Sequence, residues 1–181
     1  MLGIDDGPFE KGQPEPVPIV GVMMEGSEVV ESVATTRFPV DGADATDFLA
    51  SWISGLRSRP SLHAVMLGGV TIAGLGTIDL RQLSARLGVP VLSVTRRDPQ
   101  HSRIEEALEA APLVDRISIT RGSPRAERIR DGLFVAFAGV DRAGCEQLIG
   151  ATTGKSNLPE PLRLAHLVAR AMVTGESRGR V

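Results

Sequence analysis

Three β-type segments precede the first helical pattern in this sequence, and that order restricts the fold more than any other feature. A short apolar segment, 1–4, opens the chain, and a loop with four prolines follows it. Next come an apolar run, 17–24, and a run rich in Val and Thr, 28–38. A short glycine-containing link joins these two runs, which predicts a β-hairpin and, with the opening segment, three antiparallel strands. Doubly wound nucleotide-binding folds begin instead with a β-α-β unit.

From residue 44 onward, apolar residues take on helical spacing and predicted helices alternate with predicted strands. Helices are predicted over 44–59, 79–87, 105–111, 145–152 and 161–174, and strands over 64–67, 89–94 and 133–138. Strands separated by helices imply parallel pairing. The sequence therefore predicts an α/β fold with a ribonuclease H-like mixed sheet, in which three antiparallel strands precede parallel β-α-β units, flanked by helices. The 181 residues are expected to form a single domain, 1–181.

Composition and charge exclude several classes of protein. No stretch approaches the roughly 18 apolar residues of a membrane span, so no membrane partner is expected. The acidic N-terminus lacks the pattern of a signal peptide and Cys145 is the single cysteine, which together favour a cytoplasmic protein without disulfides. The net charge of −2 provides no overall positive field, so nucleic acid would have to bind through local patches. Nothing in the sequence indicates an oligomeric state.

Carboxylates stand where the predicted strands and turns end. Asp5 and Asp6 end the first strand, Asp41 and Asp44 lie between the third strand and the first helix, and Asp79 follows the fourth strand. Carboxylates from neighbouring strand ends could converge, and clustered carboxylates repel unless a cation neutralises them. Mg²⁺ and Mn²⁺ prefer oxygen ligands and can assist phosphodiester hydrolysis. Each aspartate also has a structural alternative, because Asp6 and Asp41 precede turn glycines and Asp44 stands at a helix N-cap.

Other motifs match their functional patterns poorly or leave two interpretations open. The segment 150–156 resembles a phosphate loop but follows a helix, and 175–179 matches G-x-S-x-G without a preceding strand. His166 shares a helix face with Arg163 and Arg170, which indicates either a solvated polar stripe or a face that contacts phosphate.

Taken together, a series of short motifs resembles the endonuclease dU family, which is related to endonuclease V. The motifs run in order along nearly the whole chain: GIDDGPF at 3–9, TR at 36–37, VDGADAT at 40–46, VML, GVT and AG within 65–74, PV and TRR within 90–97, TT, PEPLR and AHL within 152–167, and GESRG at 175–179.

The resemblance implies a ribonuclease H-like fold and metal-dependent cleavage, with Mg²⁺ or Mn²⁺, of a phosphodiester in DNA near deoxyuridine, a deaminated base, and hence a role in DNA repair. It implies that Asp5, Asp6 and Asp44 are catalytic and that Asp5, Asp41 and Asp44 hold the metal. The candidate contacts to nucleic acid are Phe9, Arg37, Thr95, Arg96, Arg97, Arg163 and His166. Phe9, beside the Asp5–Asp6 turn, is either an aromatic that stacks on a base or an anchor packed on the core.

One departure from the family pattern bears on catalysis. The family usually has Leu-Asp-Gly at the end of the fourth strand, whereas this chain has Leu67-Gly68-Gly69. The loss of one carboxylate from a metal site lowers the rate by orders of magnitude. The alternative hypothesis is therefore a catalytically impaired protein that binds damaged DNA. A phosphate-ester enzyme acting on a small nucleotide is a third hypothesis, although no phosphate-cradle motif supports it.

Overall fold

The structure, a computed structural model, describes residues 1–99 and 101–178, so Gly179 of the GESRG segment lies outside the described residues. These residues fold around a mixed sheet of seven strands, which are β1 (Leu2–Asp6), β2 (Val17–Glu25), β3 (Val29–Phe38), β4 (Val65–Leu67), β7 (Val91–Thr95), β8 (Glu127–Arg130) and β9 (Leu133–Ala138). Their order across the sheet is β3-β2-β1-β4-β7-β9-β8. Two short strands, β5 (Thr71–Ile72) and β6 (Gly76–Thr77), form a separate hairpin.

In the part of the chain that the structure describes there are six α-helices, and four of them pack on the two faces of the sheet. The six helices are α1 (Ala45–Ser54), α2 (Leu80–Leu87), α3 (His101–Ala110), α4 (Ile117–Gly122), α5 (Arg142–Thr152) and α6 (Glu160–Thr174). Helices α1 and α2 pack against one face through side chains such as Leu49 and Leu83, whereas α5 and α6 pack against the other through Ile149 and Ala165. None of the helices in the described residues is long and apolar enough to cross a membrane.

The opening meander and the parallel centre of the sheet are as predicted. Strand β2 pairs antiparallel with both β1 and β3, and β1, β4 and β7 pair in parallel. All residues of β2 except Glu25 are buried, because it lies between two strands and under helices. The carboxyl ends of three parallel strands therefore meet at one edge of the sheet, which is where functional side chains of α/β proteins collect.

The prediction of parallel pairing was wrong for the strand at 133–138. Strand β9 pairs antiparallel with β7, because the chain first forms β8 at the edge of the sheet and then reverses through a turn that contains Gly132 at φ 63°. The sequence of β8, Glu-Arg-Ile-Arg, has one apolar residue and lacks the pattern of a buried strand. The sequence patterns also did not predict helix α4 or the β5–β6 hairpin, whose two strands have only two residues each.

A close backbone contact between β1 and α6 sets the position of the last helix. A Cβ atom on Gly3 would lie 2.1 Å from the carbonyl carbon of Pro161 and 2.3 Å from the amide nitrogen of Leu162. Only glycine permits this approach. The contact lays α6 along β1 and β2, where Ala165 and Ala169 pack against Val20.

We expect Gly3→Ala to destabilise the protein by about 3 kcal/mol or more, because the added methyl group meets rigid backbone rather than a flexible side chain. Gly150→Ala is the matched control, since its Cβ would meet no atom within 4 Å and it lies in the last turns of α5. This control should raise stability by about 0.5 kcal/mol through helix propensity. Urea denaturation measures both variants, and equal stabilities for the two would contradict the proposed contact.

Candidate functional site

The carboxyl ends of β1, β4 and β7 open into a cleft of about 490 Å³. Asp5 comes from β1, Gly68 from the end of β4, and Thr95 to Arg97 from the end of β7. His166 of α6 forms part of the opposite wall. The topology of the sheet thus gathers four segments that are far apart in the sequence.

Asp5 and His166 form the central polar contact of the cleft. The Nδ1 atom of His166 lies 2.8 Å from Oδ2 of Asp5, and Oδ1 of Asp5 accepts the Asp6 N–H at 3.0 Å. The Asp5 side chain is 19% exposed and the imidazole 58% exposed, so the pair faces the cleft. The hydrogen bond to Asp5 raises the pKa of His166, while burial and the charges of Arg170 and Arg96 act against that rise. The pair therefore favours an imidazolium beside a carboxylate.

Asp6 is a second carboxylate at the end of β1, and its charge is disfavoured where it stands. Burial, followed by the negative charge of Asp5, raises the pKa of Asp6 to about 6. The backbone N–H of Ala73 donates to Oδ2 of Asp6 at 3.2 Å and partly offsets this rise. A cation bound beside Asp5 and Asp6 would reduce the repulsion between their two carboxylates.

Asp41 is tied to the β5–β6 hairpin rather than to Asp5. Its Oδ1 accepts the Leu75 N–H at 2.8 Å, and its own N–H donates to the carbonyl of Ala73. Asp41 itself has a positive φ of 52°. A Cβ atom on Gly74 would lie 2.4 Å from Oδ1 of Asp41, so this turn requires glycine. The carboxylate of Asp41 thus fixes the hairpin that also supplies the Ala73 N–H to Asp6.

Phe9, Asp44 and Arg37 do not line the cleft. Phe9 is partly buried, packs on the core, and lies 3.3 Å from the position of a Cβ on Gly74, which favours its reading as an anchor. Asp44 is exposed before α1, and its side chain makes no capping hydrogen bond. Arg37 lies on the edge strand β3 and donates to the carbonyl of Pro16 at 3.0 Å.

The expected convergence of Asp5, Asp41 and Asp44 on one cation is not seen. Across residues 1–99 and 101–178, no group of three or more His, Cys, Asp or Glu side chains lies close enough together to hold a metal ion. The reason is that Asp41 binds a hairpin backbone and Asp44 projects from the start of a helix.

The residues that remain beside Asp5 fit a weakly held Mg²⁺ or Mn²⁺ ion. Mg²⁺ is often bound through one or two carboxylates, with water and substrate phosphate as its other ligands. Asp5 can provide such a carboxylate in the cleft. Asp6 follows it on β1, and its Oδ2 accepts the Ala73 N–H. Gly68 is directly adjacent, since its Cβ would lie 2.8 Å from Oδ1 of Asp5, but it supplies no ligand.

Basic and hydroxyl side chains complete the walls of the cleft. Arg96 and Arg97 are exposed at the end of β7, and Thr95 Oγ1 donates to the Arg97 carbonyl at 2.8 Å, which shapes this loop. Arg163, also a predicted contact, does not line the cleft, and it donates twice to Oε2 of the buried Glu160, at 2.8 and 2.6 Å, so part of its charge is compensated. The sequence analysis missed Glu160, although an acidic residue in the first turn of a helix was a signal available there.

The comparisons with known proteins agree with this fold. A model of the family described as endonuclease dU matches residues 1–173. The chain belongs to the endonuclease dU family. Its relatives include a UPF0215 protein of Methanothermobacter thermautotrophicus, 37% identical over 184 residues, which span 99% of this chain and 90% of the relative. A UPF0215 protein of Thermococcus kodakarensis is 36% identical and covers 98% of this chain and 94% of its own length.

Two solved structures share the fold of this family member. A protein of unknown function from Archaeoglobus fulgidus matches with a TM-score of 0.87 and 31% identity, over 96% of this chain and 98% of that one. Ciona intestinalis endonuclease V, solved in complex with a DNA 24mer containing an inosine followed by a ribo-adenosine, matches with a TM-score of 0.58 and 15% identity, over 91% and 81% of the two chains. The second likeness establishes the shared fold, and the predicted fold class is confirmed.

We expect Asp6→Asn to stabilise the metal-free protein at pH 8 and to have little effect near pH 4. The pKa of Asp6 is about 6 in the folded protein, whereas its ordinary value is 3.8. The protonated Asp6 carboxyl therefore contributes its full share to the free energy of unfolding below pH 4, and this contribution is lost as the pH rises through 6. The gain at pH 8 should reach about 3 kcal/mol at most, at roughly 1.4 kcal/mol per pKa unit. Asparagine keeps an acceptor for the Ala73 N–H. Urea denaturation in EDTA from pH 4 to 8 measures the difference, and a pH-independent difference would contradict this account.

Proposed function

We propose that this member of the endonuclease dU family is a divalent metal-dependent endonuclease that cleaves a phosphodiester of DNA near deoxyuridine. The observation that carries the proposal is the Asp5–His166 pair in a cleft whose other wall holds Arg96 and Arg97. Family membership and the endonuclease V-like fold favour a nuclease-like role. The preference for deoxyuridine rests on the family.

The side chains of the cleft suit a phosphodiester held beside carboxylates. Asp5 and Asp6 would hold Mg²⁺ or Mn²⁺, whose chemistry is to activate water and to neutralise charge on the phosphoryl oxygens. Arg96 and Arg97 offer planar guanidinium groups that bind phosphate oxygens in pairs. His166 holds the Asp5 carboxylate through Nδ1 and, when protonated, adds a positive charge to the same wall. The negative charge of a phosphate group would balance the positive charge of Arg96, Arg97 and a protonated His166.

We expect the protein to nick a duplex that contains one deoxyuridine when Mn²⁺ or Mg²⁺ is supplied, and to leave the matching thymidine duplex intact. Asp5→Ala should lower the rate by about a hundredfold or more, because it removes the carboxylate that both His166 and a metal would use. Asp115→Ala, which removes an exposed carboxylate from a short 3₁₀ turn, is the matched control. Absence of nicking above the Asp5→Ala level with either metal would refute the proposal.

A second candidate function is the binding of damaged DNA with little or no cleavage. Two observations favour it: Gly68 places no ligand beside Asp5, and in the part of the chain that the structure describes no three-ligand metal cluster forms. The cleft and its arginines would then bind the DNA backbone without completing a catalytic site.

Gly68→Asp tests how much the missing carboxylate matters. The new side chain would start 2.8 Å from Oδ1 of Asp5, a flexible neighbour, and the φ of residue 68 lies outside the left-handed region. We expect cleavage with Mn²⁺ to rise by tenfold or more, since a further carboxylate strengthens the metal site. Without metal, the variant should melt below Gly68→Asn, its uncharged control, and Mn²⁺ should remove this difference. No change in either rate or metal-dependent melting would refute the role of position 68.

A further inference from the structure

A second cavity, of about 520 Å³, lies beside the cleft. Arg96, Leu158 and His166 line both spaces, so the two are adjacent. The cavity extends along α6 toward its C-terminal end, where Arg170 and Arg178 complete the wall. A strand seated in the cleft could therefore continue into this cavity.

Positive charge in the cavity exceeds negative charge. The cavity is lined by four arginines, Arg96, Arg163, Arg170 and Arg178. Arg163 is paired with Glu160. Arg178 lies 3.8 Å from Glu176, and both of these side chains are mostly exposed. Within residues 1–99 and 101–178, neither Arg96 nor Arg170 forms an ion pair with a carboxylate. Both act on the charge of His166, so their guanidinium groups lie near the Asp5–His166 pair.

An unsatisfied hydroxyl in the same wall indicates a polar ligand. The Oγ atom of Ser177 is buried and has no hydrogen-bond partner among residues 1–99 and 101–178, and Ser177 lines the cavity. Buried hydroxyl groups are nearly always hydrogen-bonded, so an orphan that faces a cationic cavity favours an oxygen-rich anion as its partner. Phosphate fits this requirement, because arginine and hydroxyl groups both donate to its oxygens.

We infer that this cavity binds one phosphate of the DNA strand, next along the strand to the phosphate held in the cleft. Arg96, Arg170 and Ser177 would bind it. The inference rests on the proposed function, because it needs a strand in the cleft. It assigns Arg170 and Ser177 a role in binding that the sequence motifs alone left open. The competing explanation is that Arg170 belongs to a solvated polar stripe on α6 and binds nothing.

Arg170→Gln tests the site, with Arg81→Gln on the exposed side of α2 as the matched control. Binding of a fluorescently labelled deoxyuridine oligonucleotide is measured by anisotropy in EDTA, across roughly 50 to 200 mM salt. Arg170→Gln should weaken binding by about fivefold to tenfold and reduce the salt slope by about 1, whereas Arg81→Gln should do neither. Arg170→Lys should restore the slope, because it keeps the charge.

A series of oligonucleotides, each with one neutral methylphosphonate at a successive linkage, locates the phosphate. We expect one linkage at which the substitution weakens binding by the wild-type protein but not by Arg170→Gln. If every methylphosphonate weakens both proteins equally, or if Arg170→Gln binds like the wild type, the cavity is not a phosphate site and Arg170 is only a solvated side chain. If the wild-type protein does not bind the oligonucleotide at low salt, the proposed function itself fails, which is a distinguishable result.

Discussion

The close approach of α6 to β1 is the contact on which the rest of the site depends. Because residue 3 is glycine, the backbone of Pro161 can lie directly against the first strand. The helix then runs over the end of that strand, and His166 reaches Asp5 across 161 residues of sequence at 2.8 Å. A bulkier residue at position 3 would lift the helix and separate the pair. The cleft, the Asp5–His166 contact and the arginine cavity all share this one geometric origin.

The cleft combines the carboxylates of Asp5 and Asp98 with the guanidinium groups of Arg96 and Arg97. Asp5 and Asp6 are adjacent and partly buried, and the pKa of Asp6 is raised to about 6 as a result. Arg96 and Arg170 stand nearby without a described carboxylate partner. A protein with a net charge of −2 thus gathers unpaired cations at one place, which is the pattern expected of a surface that binds phosphate locally. The carboxylates in turn suit a divalent cation that such a phosphate would help to hold.

Gly68 bears on the proposed cleavage rather than on the fold. Its backbone is adjacent to Asp5, so the sheet still brings the end of β4 to the place where a further carboxylate would act. The arginines of the walls do not depend on that side chain. Under the proposed function, cleavage would therefore depend on how strongly a metal ion is held by Asp5, Asp6 and substrate oxygens without a third carboxylate.

Local sequence patterns were sufficient for most elements. The apolar runs, the proline-rich loop and the glycine-containing link within 1–38 predict the antiparallel meander, and Gly88 ends α2 in the left-handed conformation, as the pattern indicates. The series of motifs that runs in order along the chain indicated the family. Strand β8 was missed because its polar sequence is held by pairing with β9 rather than by burial of its own side chains.

The composition of the site was decided by tertiary structure. The sequence by itself determined the element types, the aspartates at strand ends and the shared face of Arg163, His166 and Arg170, because these depend on neighbours a few residues apart. It did not determine that Asp41 binds the Leu75 N–H or that Asp5 meets His166. Those contacts depend on the order of strands in the sheet and on how closely α6 approaches β1. Such distances follow from packing between distant segments, which no local spacing encodes.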